Sequence, residues 1–175
     1  NRTLWASWII RSSKSRIFFG GDSGYFDGFK KIGNTYGPFD ITLLECGAYN
    51  KSWPDIHMTP EQTLQAHLDL RGKVLLPIHW GKFSLSLHTW TEPVERLLKE
   101  AARRGAFVTT PHIGEALAIS GELPKTAWWR PGESTLESEN MQILRSAKEK
   151  RIRKSAASLE QEMSLAGNPT STKTV

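Results

Sequence analysis

Three short stretches bring polar side chains directly behind apolar runs, where a folded chain gathers groups that can do chemistry. In Phe18-Phe19-Gly20-Gly21-Asp22-Ser23-Gly24 an apolar segment delivers Asp22 onto a turn flanked by glycines. The missing side chains leave room for an ion or a second backbone to approach closely. The same residues also suit an ordinary Asp-Ser-Gly turn. In Leu75-Leu76-Pro77-Ile78-His79-Trp80-Gly81 a histidine follows a buried-strand pattern, beside a large aromatic ring. That placement fits a metal ligand with an apolar wall, and equally a satisfied core histidine. His57, in Ile56-His57-Met58, stands just before a helix cap, and His112, in Thr110-Pro111-His112-Ile113-Gly114-Glu115, is a weaker version of the same arrangement. Carboxylate and imidazole are the donor types of divalent metals such as zinc, but a catalytic zinc usually takes three protein ligands. No His-x-His, Cys-x-x-Cys or His-Glu-x-x-His supplies them here, and neither a nucleophile elbow nor a phosphate loop is present.

The elements that must position these groups alternate between strand and helix patterns. Residues 4–10 and 16–19 read as strands around the polar turn Arg11-Ser12-Ser13-Lys14-Ser15. Residues 25–32 read as a short helix closed near Gly33-Asn34, and 41–46 as a buried strand. Thr59-Pro60-Glu61-Gln62 places a cap at Thr59 and proline at the first helical position, opening a helix to about Leu70. Residues 74–78 are a further strand. Thr91-Glu92-Pro93 opens a helix that runs to Arg104 and stops at Gly105, followed by strands at 106–110 and 115–119. This alternation predicts an α/β layered domain over residues 1–130. Beyond Trp128-Trp129-Arg130-Pro131-Gly132, residues 136–165 are charged and rich in Ala and Ser, and 167–175 form a polar Ser/Thr tail. Residues 131–175 therefore read as a helical extension with a disordered end.

Composition narrows the partners. The chain has 175 residues, 38% of them apolar, and a mean hydropathy of −0.42. No run approaches the roughly 18 apolar residues of a membrane span. The single cysteine, Cys46, lies in an apolar run; it excludes an internal disulfide framework and fits a buried thiol in a reducing compartment. The formal charge of +5 is spread along the chain with acidic residues interspersed. One dense cluster, Lys148-Glu149-Lys150-Arg151-Ile152-Arg153-Lys154, reads as a solvated helix face, so no strong nucleic-acid signal emerges. Asn1-Arg2-Thr3 followed by Leu4-Trp5-Ala6-Ser7-Trp8 lacks both an initiator Met and a cleavage site, and reads as sequence from within a domain.

The ordered series Leu4-Trp5-Ala6-Ser7-Trp8, Phe18-Phe19-Gly20-Gly21-Asp22-Ser23-Gly24-Tyr25 and Gly37-Pro38-Phe39-Asp40 is continued by Glu45-Cys46-Gly47-Ala48-Tyr49, His57-Met58-Thr59-Pro60-Glu61 and Pro77-Ile78-His79-Trp80-Gly81-Lys82-Phe83. As a set over residues 1–130 it resembles the metallo-β-lactamase superfamily, in the branch of N-acylphosphatidylethanolamine-hydrolysing phospholipase D and its bacterial relatives. The resemblance implies a four-layer αββα sandwich, of which this chain is the C-terminal half. It implies that Asp22 bridges two metal ions, usually zinc, and that His79 is a terminal ligand to one of them. His57 then lies near the mouth of the site as a substrate-contacting or supporting residue, with Trp80 and His112 in similar roles. The family's His-x-His-x-Asp-His motif and one further ligand histidine precede the region matched here and do not occur in this sequence.

The implied chemistry is hydrolysis of a phosphodiester, phospholipid-like or other ester substrate by a hydroxide held between two metals, about 3.5–4 Å apart. Asp22 orients or accepts the nucleophile's proton. Trp53, Trp80, Phe83 and Trp90 either line an apolar pocket for a lipid-like ester or belong to the core. The resemblance leaves the site incomplete without the N-terminal half of the domain, so weak metal binding is expected of this chain alone. The alternatives are a binding module that uses the basic residues 148–154 and a non-catalytic fragment that self-associates into a homo-oligomer. The expected location is cytoplasmic, with peripheral attachment to a membrane as a variant.

Overall fold

The computed structural model describes residues 5–83 and 85–130; the expected extension at 131–175, with its basic cluster, lies outside the described residues. In chain order the elements are β1 (Trp8–Arg11), β2 (Arg16–Phe19), α1 (Gly28–Tyr36), β3 (Phe39–Glu45), α2 (Pro60–Asp69), β4 (Gly72–Ile78), α3 (Glu92–Arg104) and β5 (Phe107–Val108). The strands form one mixed sheet in the order β1-β2-β3-β4-β5, with β1 antiparallel to β2 and the remaining pairs parallel.

Register divides the sheet into two unlike faces. Phe18 pairs with Thr42, Thr42 with Leu75, and Leu75 with Val108, so these four share one face, and all are buried. Phe29 of α1, Leu64, Ala66 and Leu70 beside them, and Leu97 and Ala101 of α3 close over that row in a single apolar cluster. Each fully buried Leu or Phe contributes roughly 1.5–3 kcal/mol. The opposite face carries Ile17, Ile41, Val74 and Phe107 in one row and Phe19, Leu43 and Leu76 in the next. Phe107 is 49% and Phe19 37% exposed there. The described residues thus build two layers, a sheet and the helices on one of its faces.

Local chemistry explains the helix ends. At α2 the Thr59 hydroxyl accepts the Gln62 N–H while the Gln62 side chain accepts the Thr59 N–H, a reciprocal capping box with Pro60 in the first turn. In α3, Glu92 and Glu95 open the helix and Arg103 and Arg104 close it, matching the macrodipole. Gly105 ends it with φ 69°, a left-handed cap that glycine adopts without a Cβ clash. Arg96 then ties the layers laterally, donating to both Glu61 oxygens (2.7 and 3.1 Å), to Glu92 (3.0 Å) and to the Tyr49 hydroxyl (3.1 Å). Cys46 is fully buried with its thiol 3.6 Å from the Pro93 carbonyl, and burial pushes its pKa up.

Three expectations need correction. The first helix begins at Gly28 rather than residue 25 and passes through Gly33 to Tyr36. Gly33 is not its stop: a Cβ there would lie 2.0 Å from the Asp69 carbonyl, so the absent side chain lets the end of α2 pack onto α1. The first strand starts at Trp8, not residue 4. Residues 115–119 form turn and irregular backbone, with Gly114 at φ 88° breaking the extended path before them. Pro77 sits inside a strand at an allowed place. Leu75 accepts from Thr109 N–H on the β5 side, so the amide that Pro77 lacks would face the same side, beyond the end of β5.

His67 is buried on α2, its Nδ1 2.7 Å from the Thr42 hydroxyl. Burial, which penalises the charged ring, pushes its pKa down to about 4. The fold therefore holds the neutral ring. The stability this confers is present above the ordinary pKa of about 6.5 and is lost as pH falls through that value toward 4, on the order of 3 kcal/mol at full expression. Urea unfolding at several pH values should show this loss in the wild type and a flatter acid limb in His67→Gln. An identical acid limb in both chains would refute the assignment.

Candidate metal and substrate site

Strands β2, β3 and β4 run parallel, so the segments that leave their carboxyl ends emerge at one edge of the sheet, the usual place for a site in an α/β fold. The segment after β2 carries Asp22, β3 ends on Glu45, the loop from β3 to α2 carries His57, and the residue after β4 is His79. Pairing continues past the strands: Gly20 N–H donates to Leu43 O at 2.8 Å and Cys46 N–H to Ile78 O at 2.9 Å. The turn backbone is therefore held against its neighbours up to the site itself.

The turns are tight. Gly21 has φ 64° and Gly81 φ 79°, while His79 itself takes φ 62°, a left-handed conformation that non-glycine residues adopt at some cost. Packing around Gly47 secures that conformation, since a Cβ on Gly47 would lie 2.3 Å from the His79 carbonyl oxygen. Gly24 is equally constrained, with the Asp55 carbonyl 2.1 Å from where its Cβ would stand.

Within this frame Asp22 Oδ1 lies 3.7 Å from His79 Nδ1, with the Asp22 side chain 49% exposed. The His57 and His79 rings stack with centroids 5.1 Å apart and planes 21° from parallel. His57 Nδ1 lies 2.9 Å from Glu45 Oε2, and the other Glu45 oxygen accepts a short hydrogen bond from Met58 N–H. Nearest-approach ligand atoms of Glu45, His57 and His79 all fall within 4.8 Å of one another.

The electrostatics follow from burial. Glu45 is fully enclosed, and loss of water pushes its carboxyl up to about 8, with the negative charge of Asp22 adding to the effect and the Met58 and Gly47 N–H groups opposing it. Burial lowers the His57 pKa, and the neighbouring His79 lowers it further. Glu45, His57 and His79, with Asp22 beside His79, form a donor set of types suited to divalent transition metals. The 3.7 Å between Asp22 and His79 is within reach of one shared ion, since two zinc–ligand bonds of about 2.0–2.2 Å span up to roughly 4 Å.

Of the residues singled out in the sequence, Asp22, His79 and His57 come together here. Trp80 faces away into a tryptophan cluster, stacked on Trp128 at 5.2 Å and edge-on to Trp129 at 5.3 Å, its N–H donated to the Pro77 carbonyl. The His112 ring lies 5.3 Å, centroid to centroid, from Trp128 and is exposed. Trp90 lies against the same ring at 6.3 Å, Trp53 donates to the Ala48 carbonyl, and Phe83 is 66% exposed, so these aromatics do not converge on one pocket. A cleft of about 500 Å³ instead opens beside His57, lined by Tyr49, Lys51, Leu87, His88 and Arg96 among others. Sequence reasoning missed Glu45. An acid closing an otherwise apolar strand was the signal available.

Residues 1–80 match the family described as the beta-lactamase superfamily domain. An uncharacterised protein of Mycobacterium tuberculosis is 48% identical over 133 residues, covering 74% of this chain and 36% of that protein. An N-acyl-phosphatidylethanolamine-hydrolyzing phospholipase D of Caenorhabditis elegans is 32% identical over 118 residues, covering 62% of this chain and 33% of that enzyme. Among solved structures, Igni18, a metallo hydrolase of Ignicoccus hospitalis, aligns with a TM-score of 0.49 and 28% identity over 62% of this chain and 43% of its own. The chain thus spans little more than a third of the length of the first of these curated relatives.

Gly47→Ala should push the His79 backbone away and lower stability by about 1–3 kcal/mol, the usual cost of overpacking. Chemical denaturation reads the energy, and ring-current shifts of the His57 and His79 protons read the lost stack. An unchanged pair of ring signals in a folded variant would contradict the close approach.

Proposed function

Because the chain belongs to the metallo-β-lactamase superfamily and resembles N-acylphosphatidylethanolamine-hydrolysing phospholipase D, we propose that it forms part of a metal-dependent hydrolase of phosphodiester, phospholipid-like or other ester substrates. The observation that supports this reading is the convergence of Asp22, His79 and His57 at one sheet edge, with Asp22 and His79 only 3.7 Å apart. Asp22 and His79 would hold divalent metal, zinc being the natural choice for such an oxygen and nitrogen donor pair. When bound, the ions lower the pKa of water toward neutrality and neutralise developing negative charge.

The side chains of this chain supply the setting. Asp22, with one oxygen toward His79 and a half-exposed carboxylate, would hold metal together with His79 and orient groups at the centre of the site. His79 is fixed by its left-handed backbone and by the stacked His57 ring. His57 fronts the cleft in which the substrate lies, while Trp80 and His112 meet through Trp128 outside its lining. The remaining ligands come from a preceding segment that lays a second sheet over the open face bearing Ile17, Phe19, Val74 and Phe107. Cys46 buried in the core suits a reducing cytoplasm. Among the described residues no helix is long and apolar enough to cross a membrane; peripheral access to a lipid-like substrate is part of the proposal. Pairing of two open sheet faces in a homo-oligomer is the second reading, favoured by the same exposed Phe107 and Phe19.

Hydrolysis of a chromogenic phosphodiester by the full-length protein, with zinc content measured in parallel, tests the first reading. Asp22→Ala and His79→Ala should each lower kcat/KM by about 100-fold or more, at or above what loss of a group supporting a metal ligand costs. They should also reduce bound zinc. The 175-residue chain by itself should bind zinc weakly, and one tight stoichiometric site in its titration would contradict the shared-ligand reading.

A further inference from the structure

Glu45 is the only buried carboxylate among the described residues, and its side chain is wholly removed from solvent. Burying such a group is costly unless its oxygens are occupied. Here both are: one accepts from Met58 N–H, the other meets His57 Nδ1 at 2.9 Å. The first contact ties down the loop that leads into α2. The second acts on a ring that lines the 500 Å³ cleft and stacks at 5.1 Å on His79. Nδ1 and Nε2 occupy different edges of an imidazole, so a ring held through Nδ1 has only Nε2 left to offer. The stack on His79 prevents the ring from tilting, and the bond to Glu45 sets its rotation about that stack. Stacking alone leaves a flipped ring nearly as well packed; the carboxylate distinguishes the two orientations.

We propose that Glu45 is a positioning residue that holds His57 with Nδ1 turned inward, so that Nε2 is the ring nitrogen left to meet substrate in the cleft that His57 lines. This rests on the hydrolase reading for its consequence but not for its geometry. Glu45 therefore acts through His57, touches no substrate, and leaves metal to Asp22 and His79. The rival role for Glu45 is direct ligation, because its oxygen, His57 and His79 are close enough to enclose an ion. Ligation would draw the His57 nitrogen or the Glu45 oxygen out of their mutual contact, whereas positioning keeps that contact in the presence of metal.

The test has two arms. In the 175-residue chain with 15N-labelled histidine, long-range 1H–15N spectra should show the His57 Nδ1 signal altered in Glu45→Gln and unchanged on adding zinc. Zinc should instead shift His79. A His57 Nδ1 signal insensitive to Glu45→Gln, or one shifted by zinc as strongly as His79, overturns the proposal. In the full-length enzyme Glu45→Gln should lower kcat by about 10–100-fold with a smaller change in KM and unchanged zinc content. In a His57→Ala background the same substitution should have little further effect, because coupled residues are not additive. Additive losses, or loss of zinc in Glu45→Gln, would assign Glu45 a structural or ligating role and overturn the proposal. Failure of Asp22→Ala to reduce zinc, with the His57 signal still dependent on Glu45, would refute the hydrolase reading while leaving this geometry standing.

Discussion

Parallel strands point the same way, so β2, β3 and β4 must release the chain at one edge of the sheet. Six register pairs join β3 to β4, ending with Glu45 opposite Ile78, and bonds beyond the last pair bring Cys46 and Gly20 into the same frame. The site residues are the next ones along: Asp22, Glu45 and His79 follow or end three neighbouring strands. A slip of one residue in this ladder would exchange the sheet's two faces. It would place Thr42 and Leu75 away from the helices and carry Glu45 out of its enclosed position. The buried row from Phe18 to Val108 is thus what keeps the edge that carries Asp22, Glu45 and His79 level.

Rigidity at that edge comes from backbone approach more than from side-chain bulk. Gly24 admits the Asp55 carbonyl and Gly47 admits that of His79, each at a distance that no Cβ could share. His79 accepts a left-handed backbone in return for a ring orientation set by two neighbours. Arg96, reaching Glu61, Glu92 and the Tyr49 hydroxyl, holds the helices and the loop after β3 together on one side of the cleft. Strain at His79 and over-determination around it belong together, since the first persists only where the second exists.

Much of this was legible in the sequence, and the failures have physical causes. The capping box at Thr59 and the stop at Gly105 were readable because both are local: the residues that satisfy the backbone lie within four positions of it. Asp22, His79 and His57 stood out as polar groups behind apolar runs. Gly33 was misread as a stop because its purpose is tertiary; only the approach of Asp69 from α2 explains a glycine inside α1. Residues 115–119 have strand-like composition but no pairing partner among the described residues, and composition cannot supply one. Trp80 looked like a wall of the site and instead turns into a tryptophan cluster, a direction that spacing does not encode. Glu45 was hidden by its neighbours, an acid absorbed into the run from Ile41 to Cys46.

The two faces of the sheet carry the remaining argument. One is sealed by three helices; the other presents Ile17, Ile41, Val74 and Phe107 beside Phe19, Leu43 and Leu76, with Ile41 buried and Phe19 and Phe107 exposed. At roughly 25 cal/mol for each Å² of apolar surface removed from water, covering such a face is strongly favourable. A second sheet laid there fulfils two needs at once under the proposed reading. It buries this apolar row, and it brings further ligands to the edge where Asp22 and His79 already stand. Under that reading, a carboxylate and an imidazole 3.7 Å apart, one of them half exposed, would be part of a coordination shell completed from elsewhere. On the proposed reading the open face and the pair Asp22–His79 are two aspects of one requirement, and one packing event would satisfy both.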